Sequence, residues 1–508
     1  MLRARCEVRQ TTGLKEADLA ARLGDVDALV VRSETKVTRA VLDAATRLVV
    51  VGRAGVGVDN IDVPAATARG VYVVNAPLGN IVAAAEHTIA LTLSLMRKVV
   101  DADRSVRAGE WTRSKFIGNE LRAKVLGLVG IGRVGSEVAR RAAAFGMAVV
   151  AHDPFATEAS ARTAGARLVD LDEVLRTADV ISLHVPLTEK TRGLINEESL
   201  AKMKRTAVVV NASRGEVVDA DALASALERG TIAGAALDVF AQEPLPADAA
   251  IRRAPRTVLT PHIAGSTTEA QTNVAVDVVE QILDVLDGKP ARFAVNAPRP
   301  PAEEAGGMAW VRLAERLGSL AAQLLDDRPA QLELSYAGAV LGLDPEALRA
   351  AAVKGLLETF SEQRVNLVNA LDLARSRGLV IAERREAEPP RYASLLSVKV
   401  GSTEVAGTLT QGEPRIVFID DFWVDVPIEG HLLLTKHQDK PGLVGRVGTL
   451  LGEHDVNISS MQVGRLHPRG EALMILTLDD PVPDEVRARI GGFADINAVR
   501  TARLGVGD

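Results

Sequence analysis

VLGLVGIGRVGSEVARRAAAFGMAVVAHD, residues 125–153, decides the fold. Val125–Val129 reads as a buried strand, Gly130-Ile131-Gly132-Arg133-Val134-Gly135 as a glycine turn, the residues up to Gly146 as a helix, and Ala148–Ala151 as a second strand that stops at an acid, Asp153. In a chain with 42 glycines the GxGxxG spacing alone is weak; its place between a strand and a helix gives it weight. Gly130 allows the tight turn, Gly132 lets a pyrophosphate approach the backbone, and Gly135 lets the helix pack close to the strand. The phosphates then rest on N–H groups at the helix N-terminus. A carboxylate placed about twenty residues on, as Asp153 is, accepts from both ribose hydroxyls and repels a 2′-phosphate, which favours NAD over NADP.

Length and composition set the frame around that unit. A chain of 508 residues is too long for one core, and about three or four domains are expected. With 47% hydrophobic and 25% charged residues and a net charge of −6, nothing predicts nucleic acid or a membrane as partner. The one cysteine, Cys6, excludes an intrachain disulfide and fits a reducing compartment. No apolar run approaches the roughly eighteen residues of a membrane span, and Met1-Leu2-Arg3-Ala4-Arg5 does not lead into a signal peptide's apolar region. A cytoplasmic location is expected.

Upstream of the glycine turn, short apolar runs alternate with helical patterns. Glu7-Val8-Arg9, Ala28–Arg32, Leu48–Arg53 and Gly70–Asn75 read as strands, with a helix over Lys15–Leu23, a rhythm that implies a parallel sheet. The turn Arg53-Ala54-Gly55-Val56-Gly57-Val58-Asp59 presents backbone N–H groups suited to a carboxylate. Arg32 and Arg53, near strand ends, are either anion partners or solvated surface charges. Ala83–Val99 carries no proline or glycine and reads as one long buried helix. His87 on it is taken as an internal hydrogen-bonding histidine. The segment Gly109–Phe116 mixes aromatic and cationic residues and is either a surface loop or a substrate or subunit contact.

Downstream, strands are expected at Val180–Val185, Ala207–Asn211 and Gly234–Val239, each ending in polar residues. In an open parallel sheet such ends line one cleft. They read Asn211-Ala212-Ser213-Arg214-Gly215, Leu237–Pro244 and, after another short strand, Thr260–Thr267. One arginine, one glutamate and one histidine thus stand at successive strand ends. His262 suits proton exchange with a substrate hydroxyl, since imidazole titrates near working pH. Glu243 would hold its tautomer and stabilise the imidazolium. Arg214 offers a planar fork for a substrate carboxylate while one N–H polarises the reacting carbonyl. Together they point to hydride transfer on a 2-hydroxy or 2-oxo acid. A hydrolase built on Ser213 lacks the GxSxG elbow, and no histidine spacing suggests a metal.

These motifs resemble the D-2-hydroxyacid dehydrogenase family, over roughly residues 6–295. Within it the chain is similar to the long-form phosphoglycerate dehydrogenase branch. The resemblance implies a Rossmann-type NAD domain inserted in a flavodoxin-like substrate domain, with Arg214, Glu243 and His262 as the catalytic triad. NAD contacts would come from Gly130, Gly132, Arg133, Val134, Gly135, Asp153, Val185, Asp238 and the backbone of Ala212 and Ser213. Arg32, Arg53, Gly55, Val56, Asn80 and Arg113 would bind 3-phosphoglycerate or phosphohydroxypyruvate, the arginines on its phosphate and Arg113 crossing from a neighbouring subunit. The family has another strand and helix ahead of the segment matching Cys6–Arg9; here an open sheet edge is expected in the first domain.

Pro298-Arg299-Pro300-Pro301 marks the exit from the catalytic part. Helices are expected over Trp310–Leu325 and Pro345–Leu357, and antiparallel strands over Leu395–Leu409 and Ile416–Val426. This α+β module resembles the branch's intervening domain. From His431 a βαββαβ order with the turn Asp439-Lys440-Pro441-Gly442 resembles an ACT domain, which implies L-serine as effector held by His437, Asp439 and Asn457, or else dimerisation without a ligand. The expected domains are therefore 1–79 with 266–297 for substrate, 80–265 for NAD, 298–429 intervening and 430–508 regulatory, in a dimer or tetramer. A hydroxypyruvate or glyoxylate reductase on this fold would not need three phosphate arginines, nor the added domains. A binding protein that only senses NAD would lack a triad member, and none is lacking.

Replacing Asp153 by Ala should lower NAD affinity by about one to two orders of magnitude, the value of charge-assisted hydrogen bonds, and narrow the preference over NADP. The check is kcat/KM with both cofactors; an unchanged ratio assigns the discrimination to another residue.

Overall fold

The computed structural model describes residues 1–299, 301, 306–325, 329–387 and 391–505. Pro300 of the expected proline boundary lies outside them. The chain forms two compact units: residues 1–53, 57–75 and 279–508 make one, residues 54–56 and 76–278 the other.

The first unit begins with three parallel strands, β1 (Ala28–Val31), β2 (Val50–Arg53) and β3 (Tyr72–Asn75), in that order. Leu19, Leu42, Val51, Ala66 and Val73 pack their core. Strand β1 is an edge, and Val30 on it is 44% exposed. No strand forms at Glu7-Val8-Arg9, contrary to expectation. One valine between charges has no strand to pair with, and Arg9 turns instead to Glu7 and Asp25.

The second unit carries β4 (Val125–Val129), β5 (Ala148–His152), β6 (Arg167–Leu168), β7 (Val180–Leu183), β8 (Val208–Asn211), β9 (Gly234–Leu237) and β10 (Thr257–Leu259). Their order is β10-β9-β8-β7-β4-β5-β6, with every pairing parallel. The chain leaves β4 towards β5 and β6, then returns to β7 on the other side. A crevice therefore opens where the order reverses. Side chains alternate between two cores: Leu128, Val208, Val210 and Ala236 pack under the helices Ile81–Met96 and Arg133–Ala144, while Val129, Leu183, Val209 and Leu237 face Leu175, Leu223 and Leu227 on the opposite side. Burial on both faces is why these strands read as continuous apolar runs.

The long helix ends earlier than expected, at Met96, and a second helix, Val99–Arg107, follows Lys98 in the left-handed region (φ 55°). No glycine or proline announces the break. The Met96 carbonyl accepts from Asn119 N–H (2.8 Å), so a loop distant in sequence takes the bond that another turn would have made.

Returning to the first unit, six strands, β11 (Gln331–Gly338), β12 (Val380–Glu386), β13 (Ser394–Val400), β14 (Thr403–Thr410), β15 (Glu413–Ile419) and β16 (Phe422–Pro427), order as β12-β11-β13-β14-β15-β16. The β13–β14 and β15–β16 hairpins agree with the sequence pattern; β11 and β12 have no counterpart in it. The last sheet contains β17 (Gly430–Gln438), β18 (Ile458–Arg465), β19 (Glu471–Leu478) and β20 (Ile496–Leu504), in the order β18-β19-β17-β20. With helices Leu443–Glu453 and Asp484–Gly491 it has the expected βαββαβ sequence. One face of this sheet closes over those helices through Leu433, Val447, Met474 and Ile490. The other face joins the core of the preceding module, where Leu432, Leu434 and Ile475 meet Leu313, Leu317 and Leu320. The Gln323 side chain seals that contact, its Nε2 donating to the Arg503 carbonyl (3.0 Å) and its Oε1 accepting from the Arg503 N–H (2.7 Å).

The helices Gly307–Leu324 and Pro345–Glu358 cross at Gly318 and Gly355, where an added Cβ would lie 2.0 Å from the Ala352 and Glu315 carbonyl oxygens respectively. Backbone, not side chain, sets this interhelical distance. Gly318→Ala should destabilise the module by about 1–3 kcal/mol through overpacking, read as a lower urea midpoint; an unchanged midpoint would show that the helices separate without cost.

Candidate active site

Hydrogen-bond register puts the sheet's carboxyl ends in line. Val129 lies opposite His152 and Leu183, Leu183 opposite Asn211, Asn211 opposite Leu237, and Leu237 opposite Leu259. Asp153, Gly130, His184, Ala212, Asp238 and Thr260 are the next residues on these strands, so they form one row. At strand spacings of about 4.8 Å the row from Asp153 to Asp238 runs roughly 19 Å.

The glycine turn fits a dinucleotide phosphate. Gly132 caps the helix Arg133–Ala144 without a side-chain capping bond, and a Cβ built on it meets nothing within 4 Å. Its flanks are closed: Cβ atoms on Gly130 and Gly135 would lie 2.5 Å from the His184 oxygen and 2.4 Å from the Gly130 oxygen. The first turn of that helix, at Arg133 and Val134, thus begins beside open space at Gly132, which suits a pyrophosphate. Asp153 accepts from Ile131 N–H (3.0 Å) and Phe155 N–H (2.9 Å), tying the turn to β5.

At β8, Asn211 is fully buried and works as a brace. Its Oδ1 accepts from Ser213 N–H (3.0 Å) and Ser213 Oγ (2.8 Å), and its Nδ2 donates to the Arg214 carbonyl (2.8 Å). The next residue, Gly215, lets this loop touch the one after β9, since a Cβ there would sit 1.9 Å from the Phe240 carbonyl carbon. That approach couples the Arg214 loop to the loop carrying Glu243. Nothing in the sequence singles out this glycine, because its partner lies on another strand end.

Glu243 Oε2 and His262 Nδ1 are 2.7 Å apart, and Glu243 Oε1 accepts from Phe240 N–H (3.0 Å). The carboxylate is thereby aimed and the imidazole oriented. The two side chains are 37% and 51% exposed, so the pair meets solvent. His262 holds a left-handed backbone (φ 55°), an uncommon state for a residue with a Cβ. Asp238, fully buried, holds it there. The His262 N–H donates to the Asp238 carbonyl (2.8 Å), and the N–H groups of Ile263 and Ala264 donate to its carboxylate (2.9 and 2.8 Å). Burial works to raise this carboxyl's pKa, but His87, the Thr260 hydroxyl and the two N–H groups together hold it below the usual value. The sequence marks Asp238 only as a cofactor contact; its grip on the His262 loop is visible in the structure alone.

Arg32 and Arg53 stand at adjacent ends of β1 and β2 in the first unit, since Val31 pairs with Arg53. Asn60 Nδ2 donates to the Arg32 carbonyl (3.0 Å). In the second unit, Gly55 accepts from Ala76 N–H (2.9 Å), Val56 is half-buried, and Asn80 precedes the helix Ile81–Met96 and packs against Gly265. Val185 follows His184 and is half-buried. Arg113 lies apart, in an open groove of about 230 Å³ shared with Ser105, Glu110 and Trp111. A larger open groove of about 540 Å³, lined by Leu93, Arg97, Val99, Ala102, Asp103 and Val106, is also remote from the strand-end row and holds no paired acid and base.

The three expected effector residues do not meet within one chain. His437 is 3% exposed, with Nδ1 turned to the Thr435 carbonyl (3.1 Å). Ala472 lies opposite both Arg465 and His437, whereas Leu478 lies opposite both Ile458 and His431. Asp439, level with Gly470, and Asn457, level with Asp479, therefore occupy opposite ends of the sheet, about 30 Å apart along the strands. Asp439 contacts Arg465 (3.3 Å) and Asn457 donates to Asp479 (2.6 Å). Among the described residues no group of acids, histidines and cysteine is placed to hold a metal, and no helix is long and apolar enough to cross a membrane.

Known proteins match this sequence over nearly its whole length. A D-3-phosphoglycerate dehydrogenase of Synechocystis sp. is 45% identical over 511 residues, covering 99% of this chain and 92% of the relative. The chain belongs to the D-3-phosphoglycerate dehydrogenases. Another, from Archaeoglobus fulgidus, is 44% identical over 97% of this chain and 95% of its own. The crystal structure of the TT0316 protein from Thermus thermophilus matches with a TM-score of 0.54 at 38% identity, covering 58% of this chain and 94% of that one. Residues 89–264 match the family described as D-isomer specific 2-hydroxyacid dehydrogenase, NAD binding domain; residues 308–420 match the D-3-phosphoglycerate dehydrogenase intervening domain, and residues 431–494 the ACT domain. NAD is thus the cofactor of this chain.

His184, whose Nε2 reaches the buried Ser182 hydroxyl at 2.9 Å, makes stability depend on pH. Burial pushes its imidazole from 6.5 down to about 4. Between those values the unfolded chain binds a proton that the folded chain refuses, so stability falls as pH drops from 6.5 towards 4 and this loss stops below it. His184→Gln should flatten the pH dependence of the unfolding free energy in that interval; a slope identical to wild type would remove His184 from the account.

Proposed function

We propose that the chain oxidises 3-phospho-D-glycerate to 3-phosphohydroxypyruvate with NAD, the step that commits a phosphorylated hydroxy acid to L-serine. The observation that carries this reading is the Glu243–His262 pair at 2.7 Å, one strand over from Arg214 and at the far end of the row from Asp153. Glu243 engages Nδ1, which leaves Nε2 to exchange a proton with substrate. Bound NAD supplies the hydride acceptor. His262 takes the hydroxyl proton as the C–H bond breaks, and Glu243 stabilises the imidazolium that results. Arg214 pairs with the substrate carboxylate and polarises the forming carbonyl. Arg32, Arg53 and Arg113 are assigned to the substrate phosphate, whose doubly charged group needs several cations.

The regulatory reading follows from the last sheet. Strand β18 is an edge strand with Met461 and Val463 exposed, and such an edge accepts a second copy. Antiparallel pairing of two β18 strands brings Asn457 of one chain beside the Asp439 end of the other. L-Serine held there, its ammonium on Asp439 and its carboxylate on Asn457, would read the assembled state of a homo-oligomer. His437 then supports the site from within the sheet.

His262→Ala should lower kcat by about two to four orders of magnitude, as for loss of a positioned acid and base, while leaving NADH binding nearly intact. The assay follows NADH with phosphohydroxypyruvate and, in parallel, unphosphorylated hydroxypyruvate. Wild-type turnover in the variant would remove His262 from the mechanism, and equal kcat/KM for the two substrates would sink the phosphate assignment.

A further inference from the structure

We infer that His87 is a positioning residue for the reaction, acting on His262 through the buried carboxylate of Asp238. This rests on the reading of His262 as the acid and base and extends it to a residue outside the strand-end loops. His87 lies in the middle of the helix Ile81–Met96, and its Nε2 is 3.2 Å from Asp238 Oδ1 and 3.2 Å from Thr260 Oγ1. The Thr260 hydroxyl itself donates to Asp238 Oδ1 (2.5 Å). The carboxylate can only accept, so Nε2 carries the proton and donates. His87 is 17% exposed and Asp238 fully buried, which makes the bond one a buried anion cannot exchange for water.

The geometry explains why the donor matters to the chemistry. Asp238 anchors three consecutive N–H groups, that of His262 on its carbonyl and those of Ile263 and Ala264 on its carboxylate. These bonds hold His262 in its left-handed backbone, and the two to the side chain exist only while the carboxylate keeps its place and charge. Oδ1 serves Ile263, Thr260 and His87 at once. Without His87 the buried anion loses one of its neutralising donors. It must then shift towards what remains or take up a proton, and either change moves the turn that aims the imidazole at Glu243 and substrate. Angstrom-scale misplacement of a catalytic group lowers the rate steeply, while the pyrophosphate and adenosine end of the dinucleotide site, at β4 and β5, is left alone.

Steady-state kinetics of the full chain decide it. His87→Leu keeps bulk and removes the donor, and should reduce kcat by about tenfold or more, the value of a hydrogen bond to a buried charge, with KM for NAD within about threefold of wild type. His87→Gln places an amide nitrogen near the Nε2 position and should restore most of the rate; His87→Asn, whose amide reaches only the Nδ1 position, should not. Wild-type kcat in the Leu variant, or equal loss in the Leu and Gln variants, would overturn the inference. Should the Leu variant fail to fold by circular dichroism, the Gln and Asn pair decides, and equal rates for these two would overturn it. His262→Ala is run alongside: full activity there would discard the acid and base reading itself, whereas an inactive His262→Ala with a fully active His87→Leu discards only the role of His87.

Discussion

Parallel hydrogen-bond register is the constraint on which the dehydrogenase depends. Six of the seven strands, of unequal length and very different sequence, end level because His152, Val129, Leu183, Asn211, Leu237 and Leu259 are bonded in line. A shift of one residue on any of them would carry its terminal side chains to the wrong face of the sheet. The two apolar cores oppose that shift, since it would carry Val209 or Leu237 out of the core it fills and into the opposite one. Chemistry at the rim is therefore specified by packing in the middle.

Above the sheet, the loops are fixed by polar groups with no access to water. Asn211 braces the Arg214 loop and Asp238 the His262 loop, and both are fully buried. Gly215 brings the Arg214 loop against Phe240 and so ties it to the Glu243 loop. Arginine, glutamate and histidine come from three different strand ends, yet they are set by contacts that cross between those ends. Burying a carboxylate such as Asp238 is costly unless its lone pairs are filled. The donors that fill them are the same backbone N–H groups whose placement orients the imidazole.

Strands buried on both faces are legible in the sequence because runs such as Val208-Val209-Val210 leave no room for another reading. Strand β12, Val-Ile-Ala-Glu-Arg-Arg-Glu, is not legible: it is an edge, mostly exposed, and its charges look like a helix surface or a loop. The end of the long helix is hidden for another reason, since the group that stops it, the Asn119 N–H, lies beyond the whole of the following helix. Glu243 and His262 can be paired from their strand-end positions alone, whereas the parts played by Asp238 and Gly215 depend on contacts between loops that no local pattern records. The ACT residues show the converse limit. A motif groups His437, Asp439 and Asn457, and the sheet register places two of them at opposite ends.

The shared core behind the last two modules bears on how such proteins diversify. Leu432, Leu434, Ile475 and Leu504 on the ACT sheet complete the same cluster as Leu313, Leu317 and Leu320 on the helix before it, so the joint between the modules is an interior and not a hinge. A different last module cannot be exchanged at this boundary as a cassette, because the incoming sheet must present the same apolar back to the helix. Inheritance of the two modules should thus be linked, and change in the last one should arise by substitution away from that shared core more readily than by recombination of whole domains.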